Sequence, residues 1–566
     1  MIQLLKEDIK KVLDNYVLNK YNTEVSFVVE QPKNLQMGDI SVPVFALLKV
    51  LKKPLPEVVS EVSEVIKENF DLIKEINPTG GFINLRVDKD KLCFDILHNI
   101  IENPANIGKS DLGNGKTIVI DYSSPNIAKS FSVGHLRSTM IGNSLKLIYR
   151  NLGYNVVGIN YLGDWGTQFG KMIVAYNMWG DKEKIAKDPI NELTNLYVRF
   201  HEEAKENEEL NELARQAFKR LEDGDKEYYE LWQKIREDSL KESEQIYQIL
   251  NVNFDSYNGE AYYNDKMEPV VKELENKGLL EDDMGAKIVR LGDDIVPALI
   301  KRTDGGSLYI TRDLAAIFDR KNRYDFSKIL YVVGNEQKLH FEQLKRLITL
   351  MGYDFADEVE HVNFGLVLKD GKKMSTRGGG VVKLYDVLDN AINLASKQIL
   401  EKNPTLENAG EVARKVGVGA VVFNDLKNHR SLDYDFDMDK MLKFEGQTGP
   451  YIQYTSVRIY SILKKNNYDL NNIDLSLFNN DNYFEIIRAL GEFNQTIMKA
   501  ANENAPSYIA RYLLNLCQSF NKFYGAVKIV DDNKSVMNTN LLLISAIRLV
   551  INEGLRLLGI EYVDVM

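Results

Sequence analysis

Cysteine is scarce in this chain of 566 residues, and so are apolar runs uninterrupted by charge. The two cysteines, Cys93 and Cys517, lie far apart, which excludes a disulfide framework and an all-cysteine zinc site and suits a reducing cytoplasm. The first 18 residues lack the apolar core of a secretory signal. The most apolar late segment, residues 541–560, carries Arg548, Glu553 and Arg556, so we predict a packed helix rather than a membrane span.

An excess of positive charge is also lacking. The formal net charge is −11, which argues against indiscriminate nucleic-acid binding and leaves room for a local basic patch. Hydrophobic residues make up 44% of the chain and charged residues 27%, as in soluble globular proteins. A chain of 566 residues is longer than a single hydrophobic core usually supports, so we expect two to four domains.

The order of local patterns predicts three regions. Helical spacing and one strand, at residues 81–87, come first, and a turn-rich linker follows at residues 103–115. Strand-like runs then alternate with helical patterns, which predicts a parallel, Rossmann-like sheet. A polar helical stretch at residues 191–250 interrupts this alternation as an insertion, and helical patterns dominate after residue 400. The four runs that we assign to the parallel sheet are residues 118–122, 155–162, 328–333 and 362–368.

Residues 121–142 read DYSSPNIAKSFSVGHLRSTMIG and carry the most informative pattern. An apolar, β-branched strand gives way there to helical spacing, so Gly134 and His135 fall at the start of a helix. Such a turn offers backbone N–H groups to a phosphate, and glycine lets a nucleotide lie against the backbone. His135 would donate to phosphate oxygens during displacement at the α-phosphate. An ordinary strand-turn-helix with a buried histidine is the alternative.

A second motif, residues 371–380, reads GKKMSTRGGG and follows the last predicted strand. A cationic loop flanked by glycine would close over a triphosphate, with Lys373 neutralising the departing pyrophosphate. Alone, this segment is more simply explained as a solvated basic turn. The two motifs together resemble the paired "HIGH" and "KMSKS" motifs of class I aminoacyl-tRNA synthetases.

Within that class the chain resembles the arginyl-tRNA synthetases. The blocks that carry the resemblance occur in the family's order and cover most of the chain from about residue 115. They are residues 124–129 (SPNIAK), 134–139 (GHLRST), 161–170 (YLGDWGTQFG), 309–316 (YITRDLAA) and 445–454 (EGQTGPYIQY). The resemblance implies an α/β multidomain fold with boundaries at residues 1–112 (an N-terminal α+β domain), 113–400 (a catalytic domain with a helical insertion near 185–255) and 401–566 (an all-α anticodon-binding bundle).

The resemblance implies a two-step ligation. L-arginine reacts with ATP, supplied as its Mg²⁺ complex, to give arginyl-adenylate and pyrophosphate, and the arginyl group then passes to tRNA-Arg. In this family the first step usually requires bound tRNA. A cytoplasmic monomer is expected, with no membrane partner and no metal bound by protein ligands.

Roles on the ATP side follow from the resemblance. Lys129, His135 and Lys373 are the expected catalytic residues, with Lys129 replacing the second "KMSKS" lysine, where Thr376 stands here. Ser132 stands where the first "HIGH" histidine would be. The expected ATP contacts are Ser132, Gly134, His135, His340, Met374 and Ser375.

Arginine recognition needs a carboxylate matched to a planar guanidinium. By resemblance this is Asp313, with Tyr309 on the same face of a helical turn, although Asp313 would also suit a helix N-terminus. The other expected contacts with arginine are Asp121, Ser124, Asn126 and Gln337.

The C-terminal helices are expected to read tRNA. Aromatic side chains stack on unpaired bases and an arginine holds phosphate, whereas most tyrosines in a helical bundle are core. The candidates are Tyr451, Tyr454, Arg458, Tyr524 and Met566. The N-terminal domain is expected to contact the corner of the tRNA.

Three other readings compete with this one. A small-molecule nucleotidyltransferase shares the glycine-histidine turn but is usually shorter and has no use for residues 445–454. A non-catalytic RNA-binding relative is suggested by Ser132 and Thr376, but the presence of Lys129, His135 and Lys373 argues against it. A synthetase for another amino acid is disfavoured by the tyrosine–aspartate pair.

Overall fold

The computed structural model describes residues 2–32, 34–127, 131–302, 309–374 and 382–566. These form two compact units. One comprises residues 1–107, 458–495 and 515–551, and the other residues 108–457, 496–514 and 552–566. The predictions for Lys129 and Ser375 lie outside the described residues.

The N-terminal part of the first unit is a small α+β arrangement, as predicted. Its elements are α1 (Ile2–Tyr21), β1 (Ile40–Pro43), α2 (Phe45–Leu51), α3 (Leu55–Asn69), β2 (Ile73–Thr79), β3 (Phe82–Val87) and α4 (Lys89–Glu102). The three strands form an antiparallel sheet in the order β1-β3-β2. Only β3 is apparent from the sequence, because β1 has four residues and β2 is mostly polar and exposed.

The part of the second unit from residue 117 to residue 373 alternates strands and helices. Its first half comprises β4 (Thr117–Asp121), α5 (Val133–Asn151), β5 (Asn155–Ile159), α6 (Thr167–Trp179), α7 (Lys182–Lys187), α8 (Pro189–Glu203), α9 (Glu209–Glu222), α10 (Lys226–Ile249) and α11 (Met267–Asn276). Its second half comprises β6 (Glu281–Asp283), β7 (Ala286–Val289), β8 (Ala298–Lys301), α12 (Tyr309–Tyr324), β9 (Lys328–Tyr331), α13 (Lys338–Leu350), β10 (Val359–His361), β11 (Val367–Lys369) and β12 (Lys372–Lys373).

A four-stranded parallel sheet in the order β10-β9-β4-β5 organises this part. Asp121, the last residue of β4, pairs in register with Tyr331 of β9 and Ile159 of β5, so the carboxyl ends of these strands lie at one edge. Ligands of parallel α/β sheets bind at that edge. The apolar side chains of β4 and β9 are buried, as expected for a sheet covered on both faces. The predicted Rossmann-like class is confirmed.

The predicted strand at residues 362–368 is wrong. The fourth strand of the sheet is β10, and β11 belongs to a separate small sheet. Between them Asn363 accepts a hydrogen bond at its backbone oxygen from Arg430 Nη1 (2.7 Å), and the N–H of Gly365 donates to the backbone oxygen of Arg430 (2.9 Å). The residues between β10 and β11 therefore bind another loop instead of continuing a strand.

The insertion is helical, as predicted, but it consists of several separate helices. The segment at residues 191–250 spans three helices, α8 to α10, with a turn at Gly224, whose φ of 84° favours glycine. Leu210, Ala214, Ala217 and Leu221 form the buried face of α9, which packs on α6.

Helices dominate the rest of the chain, as predicted. They are α14 (Leu384–Lys402), α15 (Ala409–Leu426), α16 (Met438–Met441), α17 (Gly449–Leu463), α18 (Asp481–Gly491), α19 (Phe493–Asn502), α20 (Ser507–Ala526) and α21 (Lys534–Leu557), with one two-residue strand, β13 (Tyr434–Asp435). Helix α21 is long and apolar enough to cross a membrane by length and composition, but its most apolar window is mostly buried within the protein. That burial is the environment of a packed helix.

Candidate active site

The first motif forms the predicted turn between β4 and α5. Ser132 is the residue before α5, and His135 lies in the helix's first turn. Among the described residues, a side-chain carbon added at Gly134 would meet only Ser132 Oγ, at 3.4 Å, and Gly134 is exposed. The exposed glycine predicted for this turn is therefore present.

Ser132 orients the imidazole of His135. The Nδ1 atom of His135 accepts a hydrogen bond from the backbone N–H of Ser132 (3.0 Å), and Ser132 Oγ also lies 3.0 Å from Nδ1. An Nδ1 that accepts leaves the hydrogen of the neutral ring on Nε2. Ser132 therefore acts on the ring, and its expected direct contact with a phosphate stays a prediction.

The second motif begins on a hairpin. Strands β11 and β12 pair antiparallel around a turn at Gly371, and Lys373 is exposed opposite Leu368. The backbone N–H of Met374 donates to the backbone oxygen of Val367 (3.2 Å), which extends the hairpin by one residue. Lys373 and Met374 are thus held at the root of the predicted loop.

Residues 382–384, which follow the second motif, form backbone hydrogen bonds with the first motif. The N–H of Val133 donates to the oxygen of Val382 (3.1 Å), and the N–H of Leu384 donates to the oxygen of Phe131 (2.9 Å). Residues 382–384 therefore lie against the first turn of α5. The part of the chain that directly follows the second motif in sequence is thus in contact with the first motif.

Asp313 and Tyr309 lie on the same face of α12, four residues apart. Tyr309 is 69% exposed. The Oδ2 atom of Asp313 lies 2.6 Å from Nε2 of His340, in the first turn of α13. His340 was expected at the nucleotide, and the structure places it on the carboxylate expected to bind arginine. Gln337 is exposed directly before α13.

Asp121 has a different environment. Its Oδ2 lies 2.8 Å from Nη1 of Arg320, and the side chains are 3% and 1% exposed. Ser124 Oγ donates to Asp121 Oδ1 (2.9 Å). Burial raises the pKa of the Asp121 carboxyl, and Arg320 and Ser124 oppose the rise. The negative charge expected to serve the arginine pocket is therefore balanced inside the protein by Arg320.

The loop after β4 is strained where ligand contacts are expected. Ser123 and Ser124 have φ angles of 72° and 46°, a conformation that residues other than glycine seldom adopt. The N–H of Ser124 donates to Asn160 Oδ1 (3.1 Å). Asn126 is exposed, and a side-chain carbon at Gly163 would lie 2.2 Å from Asn126 Oδ1. Gly163 therefore makes room for the Asn126 side chain.

Sequence reasoning assigned no role to two arginines that support the site. Arg320 balances Asp121, and Arg137 forms a buried ion pair with Asp425 of α15 (3.0 Å; 1% and 0% exposed). Arg137 Nη1 also donates to the oxygen of Leu432 (2.7 Å), in the loop before β13. Arg137 belongs to the GHLRST block, but only the fold shows its partners.

The candidate tRNA contacts divide between the two units. In one unit, Tyr451 is half-buried and Tyr454 exposed on α17. In the other, Arg458 Nη1 donates to Asn521 Oδ1 (3.1 Å) and its guanidinium lies 5.5 Å from the ring centre of Tyr524. Tyr524 is exposed and Met566 is half-buried. Exposed tyrosines beside an arginine suit RNA, and these contacts stay predictions.

Comparison with known families covers nearly the whole chain. The family described as "tRNA synthetases class I (R), catalytic domain" matches residues 97–438, "DALR anticodon binding domain" matches 452–566, and "Arginyl tRNA synthetase N terminal domain" matches 3–87. A parallel sheet whose carboxyl edge carries the histidine turn, with the catalytic-domain family matched over residues 97–438, defines a class I aminoacyl-tRNA synthetase.

Curated relatives show which amino acid specificity the family has within this class. The arginine–tRNA ligase of Enterococcus faecalis is 47% identical over 98% of this chain and 99% of its own length. That of Lactobacillus johnsonii is 49% identical over 95% and 96%. The chain belongs to the arginyl-tRNA synthetase family. Among solved structures, Thermus thermophilus arginyl-tRNA synthetase shares the fold over 100% of both chains, with a TM-score of 0.77 at 24% identity.

Proposed function

We propose that this chain ligates L-arginine to tRNA-Arg with ATP, releasing AMP and pyrophosphate. The observation that carries the proposal is the Asp313 carboxylate. Among the described residues, the side chain that meets its Oδ2 atom is that of His340, not one of the protein's own arginines. A carboxylate of this kind, with an exposed tyrosine one turn before it, suits a substrate guanidinium.

In the activation step, an oxygen of the arginine carboxylate attacks the α-phosphorus of ATP. The bond from that phosphorus to the oxygen bridging to the β-phosphate breaks, and pyrophosphate leaves. His135, with its hydrogen on Nε2, donates to a phosphate oxygen as charge shifts. Lys373 neutralises the departing pyrophosphate, and Lys129 is proposed to supply a second cation.

In the transfer step, a hydroxyl of the terminal tRNA ribose attacks the carbonyl carbon of arginyl-adenylate. The ester bond to tRNA forms, the bond to the phosphate oxygen breaks, AMP leaves, and the hydroxyl proton is lost. Tyr309 and Asp313 hold the guanidinium throughout. Ser124, Asn126 and Gln337 are proposed to hold the α-amino and carboxylate groups, which places the reacting oxygen toward α5.

ATP enters as its Mg²⁺ complex. Within the described ranges, no group of three His, Cys, Asp or Glu side chains is arranged to hold a metal. We therefore assign the cation to the substrate phosphates, and the absence of a protein-bound metal stays a prediction.

Binding of tRNA is assigned to the two ends of the chain. Residues 401–566 would read the anticodon through Tyr451, Tyr454, Arg458, Tyr524 and Met566, and residues 1–112 would contact the tRNA corner. Residues 113–400 would carry the chemistry. We further propose that the protein is a cytoplasmic monomer.

The direct test is arginine-dependent exchange of pyrophosphate into ATP, with and without tRNA-Arg, using lysine in place of arginine as the control. Exchange with arginine only in the presence of tRNA would establish both the activity and its tRNA dependence. If well-folded protein supplied with cognate tRNA gives no exchange, the proposal is wrong.

A further inference from the structure

His340 and Asp313 belong to neighbouring helices and meet through their side chains. His340 Nε2 lies 2.6 Å from Asp313 Oδ2, and the two side chains are 20% and 21% exposed. Each is therefore accessible to a ligand and still fixed by the other. The contact places His340 on the carboxylate that is expected to bind arginine, and its expected contact with ATP stays a prediction.

The charge of Asp313 acts on two neighbouring carboxylates, those of Asp121 and Glu260. Burial raises the pKa of Asp121, and the Asp313 carboxylate adds to the rise while Arg320 opposes it. Burial likewise raises the pKa of Glu260 to about 7, with Arg312 opposing the rise and Asp313 adding to it. Asp313 is thus the member of the group whose charge acts on both of the others.

Two of these carboxylates have an arginine and the third does not. Asp121 pairs with Arg320 at 2.8 Å, and Glu260 pairs with Arg312 at 3.4 Å. In the described part of the chain, Asp313 meets the imidazole of His340 and no arginine. Asp313 is therefore the one of these three carboxylates to which the guanidinium of substrate arginine could add.

We propose that His340 is a positioning residue for Asp313 and thereby sets the affinity for arginine. The imidazole donates one hydrogen bond from Nε2 to Oδ2 of the carboxylate. A carboxylate accepts about four hydrogen bonds, so Asp313 retains the capacity for a guanidinium. The inference rests on the proposed function, since it takes arginine as the ligand of Asp313.

The helix that carries His340 is anchored independently of Asp313. Phe341, the next residue, is buried and stacks on His361 (ring centres 4.5 Å apart) and on Tyr331 (4.9 Å). This anchor fixes the first turn of α13, so the imidazole reaches Asp313 from a rigid base. Replacing the ring of His340 removes the hydrogen bond and leaves this packing in place.

The experiment compares His340→Leu and His340→Gln with the wild type in steady-state aminoacylation of tRNA-Arg. KM is measured separately for arginine and for ATP, and thermal unfolding is followed in parallel. Loss of one hydrogen bond to a charged group predicts a rise in the KM for arginine of about tenfold in His340→Leu. The glutamine amide can donate near the position of Nε2, so His340→Gln is expected to recover most of this loss. The KM for ATP and the unfolding temperature should change little.

His361→Gln is the matched control. His361 Nε2 bonds to the backbone oxygen of Val333 (3.0 Å) and belongs to the same aromatic group, but no contact joins His361 to Asp313 in the described structure. This variant should leave the ratio of the two KM values unchanged.

Two results would overturn the proposal. A rise in the KM for ATP with an unchanged KM for arginine would return His340 to the nucleotide. Parallel losses of kcat and unfolding temperature, without a change in either KM, would make its role purely structural.

Calorimetric titration of arginine alone into the same variants separates this proposal from the function itself. If the wild type binds arginine but does not charge tRNA-Arg, the proposed function fails while the effect of His340 on binding is still measured. If arginine binds equally to wild type and His340→Leu, the positioning role is wrong.

Discussion

Asp121 and Asp313 are both aspartates at the carboxyl edge of one sheet domain, yet their surroundings differ. Asp121 ends β4, is 2% exposed and pairs with the buried Arg320. Asp313 lies on α12, has a side chain 21% exposed, and contacts a histidine. From the sequence both were expected to bind arginine.

The difference teaches how one residue type serves two purposes. A carboxylate paired with a buried arginine is stable only with its partner, because an unpaired charge in the interior is costly. A partly exposed carboxylate that accepts one hydrogen bond from an imidazole can still accept hydrogen bonds from a ligand. Asp121 therefore supports the strand end on which the site is built, whereas Asp313 is suited to contact the substrate.

The largest effect is expected from Asp121→Asn. The substitution leaves Arg320 buried and unpaired, which typically costs about 3–5 kcal/mol of unfolding free energy. Denaturant unfolding measures this loss, and adding Arg320→Met should recover part of it. A loss below about 1 kcal/mol would contradict the comparison.

Asp313→Asn should reduce the activity and leave the stability nearly unchanged. Its unfolding free energy is expected to change by less than about 1 kcal/mol, while kcat/KM for arginine falls about 100-fold or more because a charged partner of the guanidinium is lost. Aminoacylation at varied arginine concentration measures the fall. Asp319→Asn is the matched control, since Asp319 lies on the same helix and pairs only with the partly exposed Arg323 in the described structure. Equal losses in the two variants would remove Asp313 from the arginine site.

A third carboxylate of this region, Glu260, is tested through the pH dependence of the unfolding free energy. Its folded-state pKa is raised to about 7 from an ordinary value of 4.5, chiefly by burial. The folded protein therefore binds more protons than the unfolded chain between these values, and this residue makes stability fall as the pH rises through that window. Relative to Glu260→Gln, the wild type should lose roughly 2 kcal/mol from pH 4.5 to pH 7.

Denaturant unfolding of both proteins at several pH values in that window gives the difference directly. If the difference in unfolding free energy between the wild type and Glu260→Gln does not change with pH, Glu260 remains ionised in the folded protein, as a fully paired carboxylate would.

The smallest effect is expected from Ser132→Ala. This variant asks of the proposed ATP site whether a residue positions another side chain or contacts the substrate itself. The variant loses the Oγ that lies 3.0 Å from His135 Nδ1 but keeps the backbone hydrogen bond to the same atom. A helix N-cap substitution of this kind costs about 1 kcal/mol. We expect kcat to fall less than about tenfold, with the KM for arginine unchanged, in steady-state aminoacylation. A much larger loss would indicate that Ser132 contacts the phosphates directly.

Local pattern was sufficient for much of the fold. The β-branched runs predicted β4, β5 and β9 to within a few residues, because buried parallel strands are continuously apolar. The same reasoning failed for the short or polar strands β1 and β2, and for residues 362–368, whose backbone bonds to a distant loop. A strand that depends on partners far away in sequence leaves little local signal.

By itself, the sequence determined the family, the succession of a sheet domain and a helical region, and the two motifs of the site, because these depend on residue type, spacing and order. Tertiary structure alone decided which groups meet: Arg320 with Asp121, His340 with Asp313, and Val382 with the first turn of α5. Burial and charge pairing depend on distances between segments remote in sequence. The division between a buried aspartate paired with arginine and a partly exposed aspartate bonded to histidine therefore exists only in the folded chain.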